Sequence, residues 1–494
     1  MARAPHRLWA ACVLATWLTS PSTAVANGNV SHQWVTRTAA AQTPQGGSLY
    51  ALVNDEALVG ARDTGTRFPD WGYTPGATSD ERTAGESAHW EPVQEGYRQF
   101  ILANYAPPWS DEARLHLAFY LGMSAHGMGD QTYDSMFFER SKFYEPGNHD
   151  LFDQDTDVMW AATAGPGDVP PPWIPVAPLL ELFDAVAGVS IDGTSMTNEV
   201  GVVGIAMGLV NAIAAQPKQV AAAEANFPWA AAHDHDATTP GNPGLAAEVV
   251  RRYWRSNWAL LHGDPIPRPV LWTHPADGAA LHPTDAASIE SWISIVFARG
   301  LAASELSAAQ FHVVDTNGVE LPIAVQLFYG DESHVVHLKP GGDLLADETY
   351  VVTVDPGTQT IHDEALQGWS FTFSTGKRAP SPINDDSFWD EPDPYGEDPA
   401  GGTTGGTTGR TTGEPAPLDE SGAGDSDANG SSTGASAMGT GDAMAEPQGQ
   451  SSGGCGCRNT GGGRGALTLF VLLAVATSRS RKRAASASVE GRAS

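Results

Sequence analysis

The chain has 494 residues, 41% of them hydrophobic, so it can bury a core and is not disordered throughout. Asp and Glu outnumber Lys and Arg by 58 to 27, and the formal net charge of −31 disfavours simple electrostatic binding of nucleic acid. The three cysteines are Cys12, Cys455 and Cys457, which excludes a disulfide framework or a cysteine zinc site in the body of the chain.

Residues 1–26 have the three parts of a secretory signal peptide. Arg3 and Arg7 supply the basic start, residues 8–18 form a short apolar run, and Ala-Val-Ala at 24–26 offers small residues for cleavage. The sequence therefore predicts that the rest of the protein is exported.

Residues 27–264 have helical patterning and predict an all-α domain. Ser110 followed by Asp111 and Glu112 is typical of a helix start, with a capping residue and then acids in the first turn. Further helices are predicted over 178–187, 202–215 and 245–261.

Residues 265–376 change to strand patterning. Short β-branched and aromatic runs predict six or seven strands in a β-sandwich, with a hairpin at Asn317-Gly318. The opening His274-Pro-Ala-Asp-Gly and the closing Phe-Thr-Phe-Ser-Thr-Gly resemble bacterial Ig-like domains of surface proteins. That resemblance implies a spacer or adhesive module without catalytic residues. The predicted strands are 292–297, 311–314, 323–329, 334–338, 350–354 and 369–373.

The end of the chain predicts a spacer and a surface anchor. Residues 378–453 are rich in Gly, Thr, Ser and Asp and poor in apolar residues, as in a disordered linker. In residues 454–494 a Cys pair precedes an apolar run and a basic cluster, and the run is shorter than the ~20 residues of an ordinary membrane span. This order resembles myxobacterial carboxy-terminal sorting segments, which implies processing near Cys455 and Cys457 and display at the cell surface. A weak tail anchor is the alternative.

Two groups of histidine and aspartate recur at the spacing i, i+4, i+8 in the helical zone. A helix places such positions on one face, within reach of a shared cation. Imidazole and carboxylate are the ligands that Zn²⁺ accepts where thiolate is absent. One such group is more often a solvated face, but two in succession without basic residues at these spacings favour a metal site. The groups are His126, Asp130 and Asp134, followed by His149, Asp153 and Asp157.

Three upstream motifs precede these groups in order: Ser31-His32, Pro69-Asp70 and Ser87-Ala88-His89-Trp90. With the two repeats they resemble the zinc-dependent phospholipase C/D superfamily. Within it the resemblance is to the catalytic domain of glycosylphosphatidylinositol-specific phospholipase D, over residues 32–159. It implies the all-α fold that single-strand nucleases also share.

The resemblance implies two zinc ions and an acid beside them. Asp70 matches the acid that positions or deprotonates the attacking water. Asp134 stands where relatives commonly carry a further histidine for the second zinc, and a carboxylate can still ligate zinc there. The matched ligands are His89, His126 and Asp130 for the first zinc, and His149 and Asp153 for the second.

A third zinc site is incomplete by the same resemblance. His32 matches one of its ligands, with Asp130 bridging, but the amino-terminal Trp ligand of the best-known secreted members is missing. Asp157 is at most a candidate for supporting a ligand from outside the site.

The sequence thus predicts a surface-displayed zinc phosphodiesterase whose partner is a phospholipid membrane, held to the envelope by its carboxy-terminal segment, with no sequence-specific nucleic acid. Trp71, Tyr73 and Trp90 either line its pocket or fill the core. A single-strand nuclease on the same scaffold is one alternative. A decayed catalytic domain that leaves the Ig-like domain as an adhesion module is the other.

Overall fold

The computed structural model describes residues 28–329 and 332–396, which form a helical part and then a β part. The predicted signal peptide, the anchor with Cys455 and Cys457, and the predicted spacer beyond residue 396 lie outside the described residues. Within the described residues the helical part has thirteen α-helices. They are α1 (Asn29–Gln42), α2 (Ser48–Val53), α3 (Val59–Arg67), α4 (Ser79–Ala88), α5 (Glu91–Asn104), α6 (Asp111–Thr132), α7 (Glu139–Tyr144), α8 (Phe152–Thr163), α9 (Val176–Leu182), α10 (Gly193–Ala214), α11 (Pro217–Asn226), α12 (Pro228–His233) and α13 (Pro243–Leu261).

Helix α6 is the central helix of the helical part. It begins as predicted, because the Ser110 side chain accepts a hydrogen bond from the Ala113 backbone N–H at 3.2 Å. Asp111 and Glu112 in its first turn add a favourable interaction with the helix dipole. Every residue over 116–132 is buried, so other elements surround the helix on all sides.

Two glycines allow neighbouring segments to approach α6 closely. A Cβ atom at Gly122 would lie 2.0 Å from the carbonyl oxygen of Arg62 on α3. A Cβ atom at Gly127 would lie 2.1 Å from the carbonyl oxygen of His89. Any larger residue at these positions would push the segments apart. Gly127 therefore sets how near the His89 segment comes to α6.

The remaining predicted helices are present, with shifted starts. The helix predicted over 202–215 is α10, which begins earlier, at Gly193. The Asp192 side chain caps it by accepting a hydrogen bond from the Thr194 N–H at 3.0 Å, a signal that the apolar pattern alone does not carry. The helices predicted over 178–187 and 245–261 correspond to α9 with a π-helical turn after it, and to α13.

The β part packs two antiparallel sheets face to face around one core. Its strands are β1 (Val270–His274), β2 (Ile293–Phe297), β3 (Phe311–Asp315), β4 (Ile323–Leu327), β5 (Val335–Pro340), β6 (Thr349–Val354) and β7 (Trp369–Ser374). One sheet has the order β1-β2-β5-β4 and the other β3-β6-β7. Alternate residues such as Phe311 and Val313 point into the shared core, as expected for a sandwich.

Two details of the β prediction are wrong. Strand β1 was not among the predicted strands, because the flanking Pro269 and Pro275 interrupt the strand pattern. The Asn317-Gly318 turn does form, with the Gly318 N–H 3.1 Å from the Asp315 carbonyl oxygen. A short antiparallel bridge forms across it between Val314 and Glu320, but it does not continue into β4, which pairs with β5 in the other sheet.

A buried charged cluster joins the helical part to the β part. Glu91 at the start of α5 lies 2.6 Å from Arg299, 3.3 Å from His334 and 3.2 Å from His362. Burial alone would raise the pKa of Glu91, but the neighbouring His334, His362 and Arg299 side chains lower it to about 2. Because a buried charge left without its partners is costly, the cluster ties α5 to the β part.

Residues 378–396 return to the helical part, so the prediction that the spacer begins at residue 378 is wrong for this stretch. Trp389 is only 2% exposed and belongs to the helical core. The Asp393 carboxylate accepts hydrogen bonds from the backbone N–H groups of Ser48 at 3.2 Å and Leu49 at 3.0 Å, and so caps α2. The residues around Trp389 are mostly polar, so the sequence did not predict this packing.

Candidate metal centre

Three buried side chains from two packed helices meet near the end of α6. The Asp130 carboxylate lies between two imidazoles, with Oδ1 2.8 Å from His32 Nε2 and Oδ2 3.2 Å from His126 Nε2. The two rings stack with their centroids 3.8 Å apart. His126 and Asp130 share one face of α6, as their spacing predicts, and α1 brings His32 beside them.

Asp70 and His89 form a second group around His126. Asp70 lies in a short 3₁₀ turn, and His89 follows the last residue of α4. His89 Nε2 is 3.6 Å from Asp70 Oδ1 and 3.6 Å from Asp130 Oδ2, while His126 Nε2 is 3.7 Å from Asp70 Oδ1. Two ligand atoms of one tetrahedral zinc ion lie about 3.3 Å apart. The observed separations therefore fit a shared cation.

Backbone carbonyl groups orient two of the imidazole rings. His126 Nδ1–H donates to the Thr66 carbonyl at 2.6 Å, and His89 Nδ1–H donates to the Gly85 carbonyl at 2.9 Å. Both Nε2 atoms are buried and make no well-formed hydrogen bond within the described residues. This is the arrangement in which a metal-binding histidine offers the lone pair of its second nitrogen. The groups present thus fit a divalent metal ion.

The electrostatics of the cluster also favour a cation. Burial alone would raise the pKa of Asp130, but the charges of His32 and His126 hold it well below its usual range. Burial would lower the pKa of His89, but the neighbouring carboxylates of Asp70 and Asp130 raise it to about 9. Asp130 and Asp70, whose pKa is also lowered, therefore remain anionic. They attract positive charge, which a bound metal ion would supply in place of a proton.

The second predicted set is less compact. Asp134 lies in the π-helical turn after α6 and is fully buried, and Asp153 lies in the first turn of α8. Burial and the neighbouring charges of Asp130 and Asp153 raise the pKa of Asp134 well above its usual value. Among the described residues, the groups of three candidate ligands whose atoms all lie within 4.8 Å leave out Asp134, Asp153 and His149.

The prediction that His149 shares a helix face with Asp153 and Asp157 is wrong. Helix α8 begins only at Phe152, because the preceding segment contains Pro146 and Gly147 and forms a loop. The His149 ring packs against Phe138 with the ring centroids 5.5 Å apart. Its Nε2 atom is buried and has no hydrogen-bond partner in the described part of the chain, which leaves it available to a ligand.

Asp157 supports the site from outside. Its carboxylate accepts hydrogen bonds from the backbone N–H groups of Val30 at 3.1 Å and Ser31 at 2.8 Å, and from the Ser31 hydroxyl at 2.7 Å. These groups form the first turn of α1, the helix that carries His32. Asp157 therefore acts as a cap for α1 and holds His32 in place.

Aromatic side chains surround the cluster on one side. The Tyr73 ring lies 5.6 Å from the His89 ring, and both the Tyr73 hydroxyl and Trp90 Nε1–H donate hydrogen bonds to Glu86. Trp71 is different, because it is fully buried in the hydrophobic core. Tyr73 therefore lies against the cluster, Trp90 shares its partner Glu86, and Trp71 fills the core.

Three supporting residues were missed from the sequence. Asn29 Nδ2–H donates to Asp70 Oδ2 at 2.7 Å, and Glu86 holds two aromatic side chains. Asn29 lies one helical turn before His32, a spacing that could have indicated it. The third is Tyr329 of the β part, whose hydroxyl donates a hydrogen bond to Asp134 Oδ2. Nothing in the local sequence marks that contact.

Comparisons with known proteins agree with parts of this description. Residues 264–375 match the model of the bacterial Ig-like domain family, which confirms that prediction. The chain is similar to phosphatidylinositol-glycan-specific phospholipase D from Dictyostelium discoideum, with 34% identity over 74 residues, or 15% of this chain and 8% of the relative. It is 26% identical over 141 residues to the Rattus norvegicus protein of the same name, or 26% of this chain and 17% of the relative. The chain thus spans less than a fifth of these curated relatives.

Among solved structures, the chain is similar to that of the S-layer protein SbsC. The identity is 10%, the TM-score is 0.18, and the similarity covers 71% of this chain and 46% of that chain. A TM-score of 0.18 is too low to indicate a shared fold.

Proposed function

We propose that the helical part is a metal-dependent phosphodiester hydrolase that acts on phospholipids. One observation carries the proposal: five imidazole and carboxylate groups from four segments converge at 2.8–3.7 Å. Burying several charged and polar groups together costs free energy unless a cation binds between them. The partial similarity to phosphatidylinositol-glycan-specific phospholipases D supports the reaction class.

The proposed metal is zinc, in two sites. A bound zinc ion lowers the pKa of a coordinated water toward 7 and neutralises the anionic oxygens of a phosphodiester. His32 and Asp130 are available for a third ion. The residues that would hold the first ion are His89, His126 and Asp130, and those for the second are Asp134, His149 and Asp153.

In this proposal Asp70 acts as the general base. Its Oδ2 is fixed by Asn29, while its Oδ1 faces His89 and His126. The neighbouring His126, His89 and His32 side chains outweigh burial and lower the pKa of Asp70, so the carboxylate is ionised at neutral pH. An ionised carboxylate at this position can orient an attacking water and accept its proton.

Helix α10 supports a lipid substrate over a nucleic acid. It has no acidic or basic residue between Glu199 and Lys218, and Ile205 on its surface is 73% exposed. It packs against the 3₁₀ turn that carries Asp70 and against α8. An exposed apolar surface next to the site suits an acyl chain or a bilayer, whereas a nuclease would need basic residues for the phosphate backbone.

We infer that the protein acts outside the cytoplasm. The predicted signal peptide and sorting segment agree with a bacterial Ig-like domain in the same chain. Fractionation of the producing cells tests this inference: the protein should be found with the envelope or in the medium. Recovery in the cytoplasm alone would contradict it.

The activity is tested with the full chain, loaded with Zn²⁺ and incubated with phosphatidylcholine or phosphatidylinositol vesicles. We expect diacylglycerol or phosphatidic acid, identified by mass spectrometry, and no product after treatment with a chelator. Parallel reactions contain single-stranded DNA. If the metal-loaded protein degrades only the DNA, the phospholipase proposal is wrong and the nuclease alternative replaces it. If neither substrate reacts, the adhesion alternative gains support.

A further inference from the structure

The segment after β4 reaches from the Ig-like domain into the candidate metal centre. Phe328 packs in the core of the helical part, although it follows a strand of the sandwich. The next residue, Tyr329, has a φ of 58°, an uncommon left-handed conformation for a residue with a side chain. This backbone geometry accompanies the hydrogen bond from the Tyr329 hydroxyl to Asp134 Oδ2.

The same segment contacts the end of α6 at a second point. Gln131 Oε1 accepts hydrogen bonds from the His334 backbone N–H at 2.7 Å and from the Ser333 hydroxyl at 3.4 Å. Gln131 is the neighbour of Asp130 on α6 and lies three residues before Asp134. The Ig-like domain is therefore attached to the helix turn that carries the candidate ligands.

Tyr329 also packs against the aromatic side of the site. Its ring meets the Trp90 ring edge-on, with the centroids 5.2 Å apart. Trp90 is held in turn by Glu86, whose other oxygen accepts the hydrogen bond from Tyr73. The aromatic rings beside the metal centre thus come from both parts of the protein.

Asp134 needs such a partner. It is completely buried, and its neighbours include the carboxylates of Asp130 and Asp153. A buried carboxylate without a hydrogen-bond donor is costly and free to rotate. The Tyr329 hydroxyl holds one oxygen, so that the other oxygen, Oδ1, keeps a fixed direction.

We propose that Tyr329 is a positioning residue for the metal centre and that the Ig-like domain completes the site rather than acting only as a spacer. This proposal rests on the proposed function above. The Tyr329 hydroxyl orients Asp134 for a metal ion, and the Tyr329 ring extends the aromatic side of the candidate metal centre. Removal of the hydroxyl weakens metal binding through Asp134 while the fold is retained.

The test compares Tyr329→Phe with Tyr144→Phe in the full chain. Tyr144 on α7 is a matched control, because its hydroxyl also donates to a carboxylate across the two parts, that of Glu290 at 3.0 Å. The two residues are similarly exposed, 42% for Tyr144 and 49% for Tyr329. Zn²⁺ affinity is measured by competition with a chromophoric chelator. Thermal unfolding is measured on the same samples.

We expect Tyr329→Phe to lower the affinity for the weaker zinc equivalent roughly 10–100-fold, the usual effect of losing a residue that orients a ligand. Tyr144→Phe should leave the zinc affinity unchanged. In an Asp134→Asn background the Tyr329→Phe substitution should have no additional effect, because Tyr329 acts through Asp134. Equal zinc isotherms for wild type and Tyr329→Phe, or an undiminished effect in the Asp134→Asn background, would overturn the proposal.

The zinc isotherms separate this proposal from the proposed function. If the wild type binds zinc but hydrolyses no phosphodiester, the hydrolase proposal fails and the comparison of the two Tyr variants still decides the role of Tyr329. If the wild type hydrolyses lipid and both Tyr variants bind zinc and react like it, only the Tyr329 proposal fails. If Tyr329→Phe alone is unfolded, zinc isotherms are compared between Asp134→Asn and the double variant Asp134→Asn with Tyr329→Phe.

Discussion

The two halves of the candidate site are held in different ways. His89 and His126 hydrogen-bond to carbonyl groups of neighbouring backbone, so the helical part alone fixes their direction. Asp134 depends on a side chain of the Ig-like domain, and His149 lies in a loop. Ligands on helices with backbone support are the more precisely placed ones. The difference indicates a preformed half and a half that depends on contact between the domains.

Loss of His126 should have the largest effect, because this residue belongs to both groups of the preformed half. We expect His126→Ala to reduce phospholipid hydrolysis by about 10⁴-fold or more, the loss of several kcal/mol of metal-assisted catalysis. Zinc content should fall with it. His116→Ala is the control, since His116 is a buried histidine on the same helix that contacts Tyr97 at 2.7 Å. Equal losses in both variants would point to a folding defect.

Replacement of Asp70 should lower the rate of the catalytic step without lowering metal binding. We expect Asp70→Asn to reduce the turnover rate by about 10²–10³-fold, as for loss of a general base, with nearly normal zinc content. Steady-state kinetics and metal analysis of one preparation measure both quantities. If the rate is unchanged, Asp70 is not the base, and if zinc is lost with the rate, Asp70 is mainly a ligand.

Stepwise removal of metal should distinguish the two halves directly. As chelator concentration rises, the ion bound near His149 should leave before the ion bound by His89 and His126, with affinities at least about tenfold apart. His149→Ala should remove only the weaker class. Metal analysis after dialysis checks this order. A single class of ions that leave together would show that the two halves are equally well formed.

The smallest expected effect is at Asp157, which caps α1 and holds a predicted ligand indirectly. Asp157→Asn should lower the free energy of unfolding by about 1–2 kcal/mol, the range for loss of a helix cap. Activity should change only a few-fold, because His32 stays on the same helix. Urea denaturation measures the stability, and a loss of activity as large as that of His126→Ala would place Asp157 among the ligands.

The sequence names the residues of the preformed half, and the structure brings them together. For the dependent half the sequence also names Asp134, His149 and Asp153, but it reports neither the loop at His149 nor the contact of Asp134 with Tyr329. The spacing of His126 and Asp130 on one helix is a local property, and α6 begins where Ser110 predicts. His149 was assigned to a helix that starts three residues later, because a spacing alone does not show where a helix begins. Tyr329 and Asp134 are 195 positions apart, and no local pattern reports such a contact.

The same distinction holds for the fold. The composition change near residue 264 predicts a helical part and a sandwich, because apolar periodicity follows secondary structure. Strand β4 joins the other sheet because it pairs with β5, which a local pattern does not show. Residues 378–396 return to the helical core through one buried side chain, Trp389, in a polar stretch. Long-range contacts of this kind leave no periodic trace in the sequence.

The central claim is that His89, His126, Asp70 and Asp130 surround a metal ion. Crystals of the full chain grown with Zn²⁺, measured on both sides of the zinc absorption edge, test it most directly. We predict an anomalous peak within about 2.0–2.2 Å of His89 Nε2, His126 Nε2 and an Asp130 oxygen, with Asp70 beside it. Zinc peaks only at surface residues, with this cluster empty, would contradict the claim.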